Sequence, residues 1–272
     1  MVAIIIFLTA GLNNELTITG YCLYSNKINS PIRIVLLADL HSCYYGDSES
    51  ELIDAINKQN PDVIMMAGDI ADDVLPEDNV KTLLEGIGNK YPCYYVAGNH
   101  EFWSGRVEEQ KAMFTSYGVN VLQGTCETIS LNGQSISVCG VDDPDGGLVN
   151  FNSQLSTVGK SICKDQYSIL LAHRPELLAD YSQHSFDLVL SGHAHGGQWR
   201  IPFIFSNGLF APNQGLFPKY TKGIHEYVDT TMIISRGLSR ESTRIPRFYN
   251  PPEVVTIDLL PVSNKSFAST EN

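Results

Sequence analysis

The stretch IRIVLLADLH at residues 32–41 joins a run of apolar residues to two side chains that can bind metal, Asp39 and His41. The apolar run predicts a strand that is buried on both faces, and the two polar side chains follow at its end. Because residues two apart in extended chain point to the same side, Asp39 and His41 can face one site. The stretch therefore predicts a strand of an open α/β sheet with functional groups at its carboxyl end.

An apolar run followed by a polar cluster recurs along the chain. The further examples are DVIMMAGD at 62–69, CYYVAGNHE at 93–101, YSILLAH at 167–173 and FDLVLSGHAH at 186–195. Segments with helical apolar spacing, such as 48–59, separate several of them, which is typical of βαβ units. Asn132-Gly133 between two short strands predicts a hairpin. We therefore predict an α/β fold, a four-layer α/β/β/α sandwich with two mixed sheets back to back, flanking helices and a site at the strand ends.

Composition limits the kind of partner. The 272 residues carry a net charge of −12 and a hydrophobic share of 43%. That share is enough for a complete core, but the acidity argues against a surface for a nucleic acid polymer, which needs a basic stripe. We expect an N-terminal apolar segment and edge strand (1–30), one main domain (31–262) and a polar tail (263–272).

The apolar residues 2–10 (VAIIIFLTA) have two interpretations. The stretch is shorter than the roughly 20 residues that span a bilayer, and no basic residue precedes it. It is either the remainder of a longer membrane anchor or a segment packed on the domain. Membrane association through the N-terminus and a cytoplasmic location both stay open.

The six cysteines show no zinc-finger or CxxC spacing. Several of them sit in or beside apolar runs, where a free cysteine behaves as a small buried hydrophobe. We expect all six to be structural and reduced, so they do not indicate a cellular compartment.

The polar clusters together predict a site for two metal ions. Two cations about 3.5–4 Å apart need a bridging anion and several hard or borderline ligands. Asp69 follows Gly68, whose missing side chain allows a close approach, and one carboxylate there can bridge both ions. Asp, Asn and neutral His suit Mn, Fe or Zn, so the sequence predicts two divalent ions without fixing their identity.

The ordered set of these blocks resembles the calcineurin-like metallophosphoesterase superfamily. The blocks are Asp39-x-His41, Gly68-Asp69, Gly98-Asn99-His100-Glu101, His173 and Gly192-His193-x-His195. Downstream, Gly196-Gly197-Gln198, Ser235-Arg236-Gly237, Pro246-Arg247-Phe248 and Pro252-Glu253 resemble its bacterial YkuE/YaeI-like branch. Members of that branch often begin with a membrane anchor or an export signal, so the resemblance favours a membrane-associated or extracytoplasmic location.

The resemblance implies a role for each residue of these blocks. One metal would be held by Asp39, His41, Asp69 and His195, and the second by Asp69, Asn99, His173 and His193. A hydroxide between the ions would attack phosphorus, and His100 would stabilise the developing charge and protonate the leaving oxygen. The implied activity is that of a phosphoric ester hydrolase.

Other polar residues near the blocks have less certain roles. Arginine suits bidentate recognition of phosphate, and the candidates are Arg200, Arg236, Arg174 and Arg247, with ordinary surface pairing as the alternative. We expect Asp72 and Asp73 to be solvated or helix-start carboxylates, with support of a metal ligand as the alternative. Glu101 either supports a ligand or lies on the surface.

The leading function is a metal-dependent phosphoesterase that hydrolyses phosphodiester or pyrophosphate bonds in a small-molecule substrate, either a nucleotide or a lipid-linked phosphate ester. A phosphomonoesterase with the same dinuclear site is the first alternative. A non-catalytic metal-bound scaffold and a metal-dependent hydrolase of a non-phosphate bond are further alternatives.

Overall fold

The computed structural model describes residues 2–201, 204–240 and 246–262. The predicted polar tail, 263–272, lies outside the described residues. The helices are α1 (Val2–Gly11), α2 (Ser50–Gln59), α3 (Asp78–Ile87), α4 (Asn99–Trp103), α5 (Val107–Ser116), α6 (Leu148–Ser161) and α7 (Leu178–Tyr181). The strands are β1 (Thr17–Ser25), β2 (Ile32–Leu37), β3 (Val63–Ala67), β4 (Cys93–Val96), β5 (Asn120–Val121), β6 (Thr125–Leu131), β7 (Gln134–Gly140), β8 (Tyr167–Leu171), β9 (Leu188–Ser191), β10 (Phe210–Ala211), β11 (Gly215–Leu216), β12 (Gly223–Tyr227), β13 (Thr230–Ile234) and β14 (Glu253–Pro261).

Most of the strands form two six-stranded mixed sheets. The first has the order β1-β14-β2-β3-β4-β5, and the second has the order β12-β13-β9-β8-β7-β6. Strands β2 to β5 are parallel, as are β13, β9, β8 and β7, so their carboxyl ends lie at one edge of each sheet. Strands β10 and β11 pair separately. This arrangement places the functional side chains of both sheets at a shared end.

Alternation along the buried strands produces the layers. In β2, Ile34 and Leu36 belong to the core between the two sheets, whereas Val35 and Leu37 pack with residues of α2 and α3. The helices α6 and α7 cover the outer face of the second sheet in the same way, for example through Phe151. Strands covered on both faces are apolar throughout, which explains the continuous run at 32–37. The predicted four-layer sandwich is confirmed.

The hairpin and the edge strand also agree with the sequence. Asn132 and Gly133 both have positive φ, 50° and 79°, and join β6 to β7 as predicted. Strand β1 is an edge strand that pairs in parallel with β14. Several elements lay outside the prediction, and the longest are α6 and β12, whose apolar residues are sparse and interrupted by polar ones.

The expectation that all cysteines are reduced is wrong. Cys126 and Cys139 lie opposite each other on β6 and β7 and form a disulfide. Their sequence separation of 13 matches no short metal-binding motif, and only the strand register brings them together. The other cysteines form no disulfide, and Cys43 and Cys93 among them are buried.

The N-terminal apolar segment forms the ten-residue helix α1. Its Phe7 ring packs against Phe248 and Tyr249, with centroid distances of 5.7 and 5.1 Å. The Tyr249 hydroxyl donates to the Phe7 carbonyl, and the Tyr249 N–H donates to that of Gly11. Within the described part of the chain, no helix reaches the length and apolarity that crossing a bilayer requires.

Candidate metal centre

The predicted metal ligands come together from both sheets, each just beyond the end of a parallel strand. Asp39 and His41 follow β2, Asp69 follows β3 and Asn99 follows β4. His173 follows β8, and His193 and His195 follow β9. All seven are buried, at 9% exposure or less. The prediction that these blocks meet at the strand ends is confirmed.

Several of these residues adopt a left-handed backbone conformation. The φ angles are 50° at Asp39, 50° at His41, 52° at Asp69, 66° at His193 and 46° at His195. Such conformations cost non-glycine residues about 1 kcal/mol or more each, so the surrounding structure must compensate for them. Five of the seven candidate ligands share this conformation, so the local structure around the site holds them in it at some cost in stability.

The predicted ligands form two groups that approach each other at Asp69. In each group the candidate ligand atoms lie within 4.8 Å of one another; the groups are Asp39, His41 and His195, and Asp69, His173 and His193. The Asp69 Oδ2 atom lies 3.0 Å from His173 Nε2 and 3.7 Å from His41 Nε2, so it contacts one member of each group. The Asp69 Oδ1 atom accepts the His100 N–H at 2.9 Å. One carboxylate oxygen is thus fixed by the backbone while the other lies between the groups.

The chemistry of these donors fits divalent metal ions. The Asn99 Oδ1 atom and the His41 Nε2 atom are buried without a hydrogen-bond partner among the described residues, although buried polar atoms are normally paired. Burial, with neighbouring positive charge, lowers the pKa values of His193 and His195 well below their usual range. Neutral imidazoles and orphaned oxygen and nitrogen atoms are the donors that a metal ion uses.

Asp69 and His173 behave as a charged pair. Burial opposes ionisation of Asp69, but His173 and His41 outweigh it and hold the pKa of the carboxyl well below its usual range. Burial also opposes protonation of His173, yet Asp69 and Asp39 raise its pKa to about 10. His173 therefore carries a proton near neutral pH that a metal ion must displace to bind its Nε2 atom.

We expect metal loading to release protons. A metal ion would bind the deprotonated form of each ligand, so protons that the ligands carry at pH 6 would be released on loading. His173, whose folded pKa is about 10, should contribute at least about one proton per chain. Apparent affinity should therefore rise as pH rises. Calorimetry in two buffers of different ionisation enthalpy measures the number, and a value of zero would contradict a protonated His173.

Glu101 holds the backbone of the loop that follows β3 and carries Asp69. It is fully buried, and its carboxylate accepts the backbone N–H groups of Gly98, Asp69, Ile70 and Ala71 at 2.8–3.0 Å. Burial, and then the Asp69 charge, raises the pKa of Glu101 to about 7. Of the two interpretations of Glu101, the structure supports a positioning role and excludes the surface one.

Removing this carboxylate should destabilise the whole domain. Glu101→Ala leaves several buried N–H groups without acceptors, and we expect the free energy of unfolding to fall by about 3–5 kcal/mol. Glu101→Gln keeps one acceptor oxygen, so its free energy of unfolding should lie between those of the parent and of Glu101→Ala. Urea unfolding followed by circular dichroism measures both variants. An alanine variant within about 0.5 kcal/mol of the parent would show that water replaces the carboxylate.

Glycines allow the loops of the site to approach each other. At Gly68, with φ of 86°, a β-carbon would lie 2.6 Å from His173 Nδ1. At Gly98 a β-carbon would lie 2.3 Å from Asp69 Oδ1. Both distances are too short for any side chain, so the glycine in each motif is required by packing.

His100 lies at the more accessible side of the site and has an acidic partner. Its side chain is 24% exposed, and its Nδ1 atom lies 2.7 Å from Asp73 Oδ1. Asp72 is buried, and its Oδ2 lies 3.3 Å from His41 Nδ1. The expectation that Asp72 and Asp73 are merely solvated or helix-start carboxylates is wrong, because both face histidines of the site.

Arg174 and Arg247 donate to protein groups. The Arg174 guanidinium contacts Asp143 at 2.6 and 2.7 Å, and its Nη1 donates to Asn213 Oδ1, which also lies 2.7 Å from His193 Nε2. Asn213 is therefore a neighbour of the site that sequence motifs did not reveal. Arg200 and Arg236 lie together elsewhere, beside Tyr21.

Arg247 lies behind His195. Its Nη2 donates to Ser239 Oγ at 2.9 Å, and that oxygen lies 3.0 Å from His195 Nδ1. Its remaining donors reach the carbonyls of Ser239 and Arg236. Ser239 thus holds one ring nitrogen of His195 and leaves Nε2 facing Asp39, at 3.8 Å.

Comparison with known sequences agrees with the motif analysis. A family model described as calcineurin-like phosphoesterase matches residues 32–197. An uncharacterized metallophosphoesterase of Helicobacter pylori is 30% identical over 247 residues, which are 88% of this chain and 62% of that protein. The chain therefore spans 62% of the length of that relative. The uncharacterized metallophosphoesterase YkuE of Bacillus subtilis is 30% identical over 234 residues, which are 84% of this chain and 78% of YkuE.

Solved structures share the fold at low sequence identity. A dimetal phosphatase from Danio rerio aligns with a TM-score of 0.55 and 14% identity, covering 84% of this chain and 93% of that one. The phosphopantetheinyl hydrolase of Mycobacterium tuberculosis aligns with a TM-score of 0.52 and 12% identity, covering 81% and 96%. These similarities are evidence for the architecture alone.

Proposed function

The chain belongs to the calcineurin-like phosphoesterase family, and from that premise we propose that it hydrolyses phosphodiester or pyrophosphate bonds with two divalent metal ions. The motif-based assignment to this superfamily and to its YkuE-like branch is confirmed. The observation that carries the proposal is the position of Asp69 Oδ2 between His173 and His41, which belong to different groups of candidate ligands.

We assign one metal to Asp39, His41, Asp69 and His195, and the other to Asp69, Asn99, His173 and His193. Two divalent cations, when bound, supply Lewis acidity and a nucleophilic water of lowered pKa. The buried side chains hold these ions and exclude bulk water, while His100 stays accessible beside the substrate. In this proposal His100 donates a proton to the leaving oxygen, and Asp73 fixes the orientation of its ring.

The hydrogen bonds of the arginines favour a diester over a monoester. A monoester carries a dianionic phosphate, which is commonly held by arginine forks. Arg174 and Arg247 instead donate to Asp143, Asn213, Ser239 and backbone carbonyls. We propose that these two arginines position the site and do not contact phosphate, which revises the substrate role considered for them on sequence grounds.

The surroundings of the site fit an apolar or planar substituent on the substrate. A cavity of about 190 Å³ adjoins the turn after His195, lined by Gln198, Trp199, Leu209 and Phe210. The Trp103 side chain is 57% exposed and its ring lies 4.8 Å from that of His100. A lipid-linked phosphate ester or a nucleotide is therefore the substrate class we propose. Two proteins of this fold are described as a phosphopantetheinyl hydrolase and an NAD nucleotidase.

Initial rates on two synthetic esters test the proposal. Mn-loaded protein is assayed with bis-p-nitrophenyl phosphate and p-nitrophenyl phosphate, beside EDTA-treated protein. We expect EDTA-sensitive turnover that favours the diester. Turnover that favours the monoester would keep the metal site but overturn the substrate class. Metal binding without turnover of either ester would favour the scaffold or the non-phosphate hydrolase.

A further inference from the structure

A cluster of three cations lies at the edge formed by β1 and β12, and none of them belongs to the groups of candidate metal ligands. Its members are Arg200, Lys222 and Arg236. Arg236 Nη2 lies 3.1 Å from Thr17 Oγ1 on β1. A β-carbon at Gly223, which begins β12, would lie 3.6 Å from the Tyr21 hydroxyl. The cluster thus joins the edge strands of the two sheets.

Arg200 is buried, and its guanidinium lacks a complete set of hydrogen-bond acceptors among the described residues. The residue is 8% exposed, its Nη2 donates to the Ser206 carbonyl, and its Nη1 is buried without a hydrogen-bond partner among the described residues. Leaving part of a guanidinium desolvated and unpaired is costly, and native structures rarely do so without a reason. The orphaned nitrogen indicates that a group outside the described residues completes the arrangement.

The nearby carboxylate is already engaged. Glu253 Oε2 lies 2.7 Å from Arg236 Nη2 and accepts the Thr19 hydroxyl at 2.5 Å, while its Oε1 accepts the Arg236 N–H. Its single negative charge balances Arg236. Arg200 and Lys222 are left as positive charges in a chain whose net charge is −12.

Each of the three cations disfavours the protonated, charged form of its neighbours. Burial, and then Arg236, lowers the pKa of Arg200 to about 10. Burial, followed by Arg200 and Arg236, also lowers the pKa of Lys222. Thr221, next to Lys222, is 1% exposed and has a buried hydroxyl with no hydrogen-bond partner in the described part of the chain. An anion would relieve the repulsion and supply the missing acceptors.

We propose that Arg200, Lys222 and Arg236 form a binding site for a phosphate group, separate from the metal centre. Two uncompensated positive charges match a phosphate dianion, and a guanidinium with a free Nη1 provides the donor that phosphate oxygens accept. The site shares no residue with the two groups of candidate metal ligands. It goes beyond the proposed function and does not depend on it.

A cavity lies beside Ser206, whose carbonyl accepts a hydrogen bond from Arg200. Its volume is about 200 Å³, and Ile204 and Phe217 line it with exposures of 68% and 64%. Phosphate here could come from solution or from a lipid headgroup whose acyl chains contact these apolar side chains. The shared chemistry is the phosphate group.

Equilibrium dialysis with radiolabelled inorganic phosphate tests the site in the full, Mn-loaded chain with and without EDTA. We expect about one phosphate per chain to stay bound in the presence of EDTA, and an additional phosphate to bind only when EDTA is absent. Arg200→Met should weaken the EDTA-resistant binding about tenfold or more. Arg33→Met serves as the matched control, because Arg33 is paired with Asp258 elsewhere and its side chain is 43% exposed.

Lys222→Met is the second variant, since the half-buried Lys222 can be replaced even if Arg200→Met does not fold. It should weaken the same binding by about threefold or more. The proposal is overturned if the parent shows no EDTA-resistant phosphate, or if a folded Arg200→Met or Lys222→Met variant binds it as tightly as the parent. If only the EDTA-sensitive binding is missing, the result counts against the metal centre and does not affect this proposal.

Competition with short-chain lipids identifies the source of the phosphate. Dihexanoyl phosphatidic acid, used below its micellar concentration, should displace the EDTA-resistant phosphate more effectively than glycerol 3-phosphate if the apolar side chains take part. Equal displacement by both would assign the site to soluble phosphates. Displacement by neither, while inorganic phosphate stays bound, would assign the site to free inorganic phosphate.

Discussion

Asp69→Asn should abolish turnover and loosen both metal ions. Asp69 Oδ2 lies 3.0 Å from His173 Nε2 and 3.7 Å from His41 Nε2, so it approaches a histidine of each group of candidate ligands more closely than Asp39 Oδ1 does, at 3.9 and 3.8 Å. The substitution keeps an oxygen that can accept the His100 N–H but removes the negative charge that two cations share. Losing about 4 kcal/mol of transition-state stabilisation corresponds to roughly a thousandfold loss of kcat/KM.

Metal content and initial rates should be measured on the same preparation of the variant. Elemental analysis after dialysis should show less metal per chain than in the parent. Asp54→Asn is the matched control, because it makes the same chemical change on an exposed position of α2. Full activity in a metal-replete Asp69→Asn variant would contradict the dinuclear assignment.

The sequence predicted where the candidate metal ligands lie because each follows directly after a buried strand. Continuous apolar runs such as 32–37 identify strands covered on both faces, and parallel neighbours must end at a common edge. Local patterns therefore located Asp39, Asp69 and His173. The same patterns could not show that Asp73 contacts His100, since that contact depends on the path of the loop after Asp69.

Long-range contacts account for what the sequence did not reveal. Asn213 reaches His193 from a segment with no motif, and Ser239 reaches His195 from beyond β13. The disulfide depends on the register of β6 and β7, which aligns Cys126 with Cys139. The lowered pKa of Arg200 follows from its burial beside Arg236, which the residue type alone does not indicate.

His100→Ala should retain both metals and lose turnover. The imidazole faces the accessible side of the site and is held by Asp73, as a proton donor to the leaving oxygen requires. General acids of this kind contribute about 10²–10⁴-fold in rate, and the loss should be larger for an alkoxide leaving group than for p-nitrophenolate, which departs without a proton. Asp73→Asn should lower the rate by a smaller factor, and this factor should again be larger for an alkoxide leaving group than for p-nitrophenolate.

The opposite outcome is physically realistic, which makes the experiment informative. His41, Asp72 and His100 also form a group whose candidate ligand atoms lie within 4.8 Å of one another. If His100 were a metal ligand, the alanine variant would lose metal and its rate would fall equally for every leaving group. Elemental analysis together with rates on aryl and alkyl diesters separates the two roles. His184→Ala, which changes a histidine outside the three groups of candidate ligands, provides the control, and it should change neither metal content nor the dependence on leaving group.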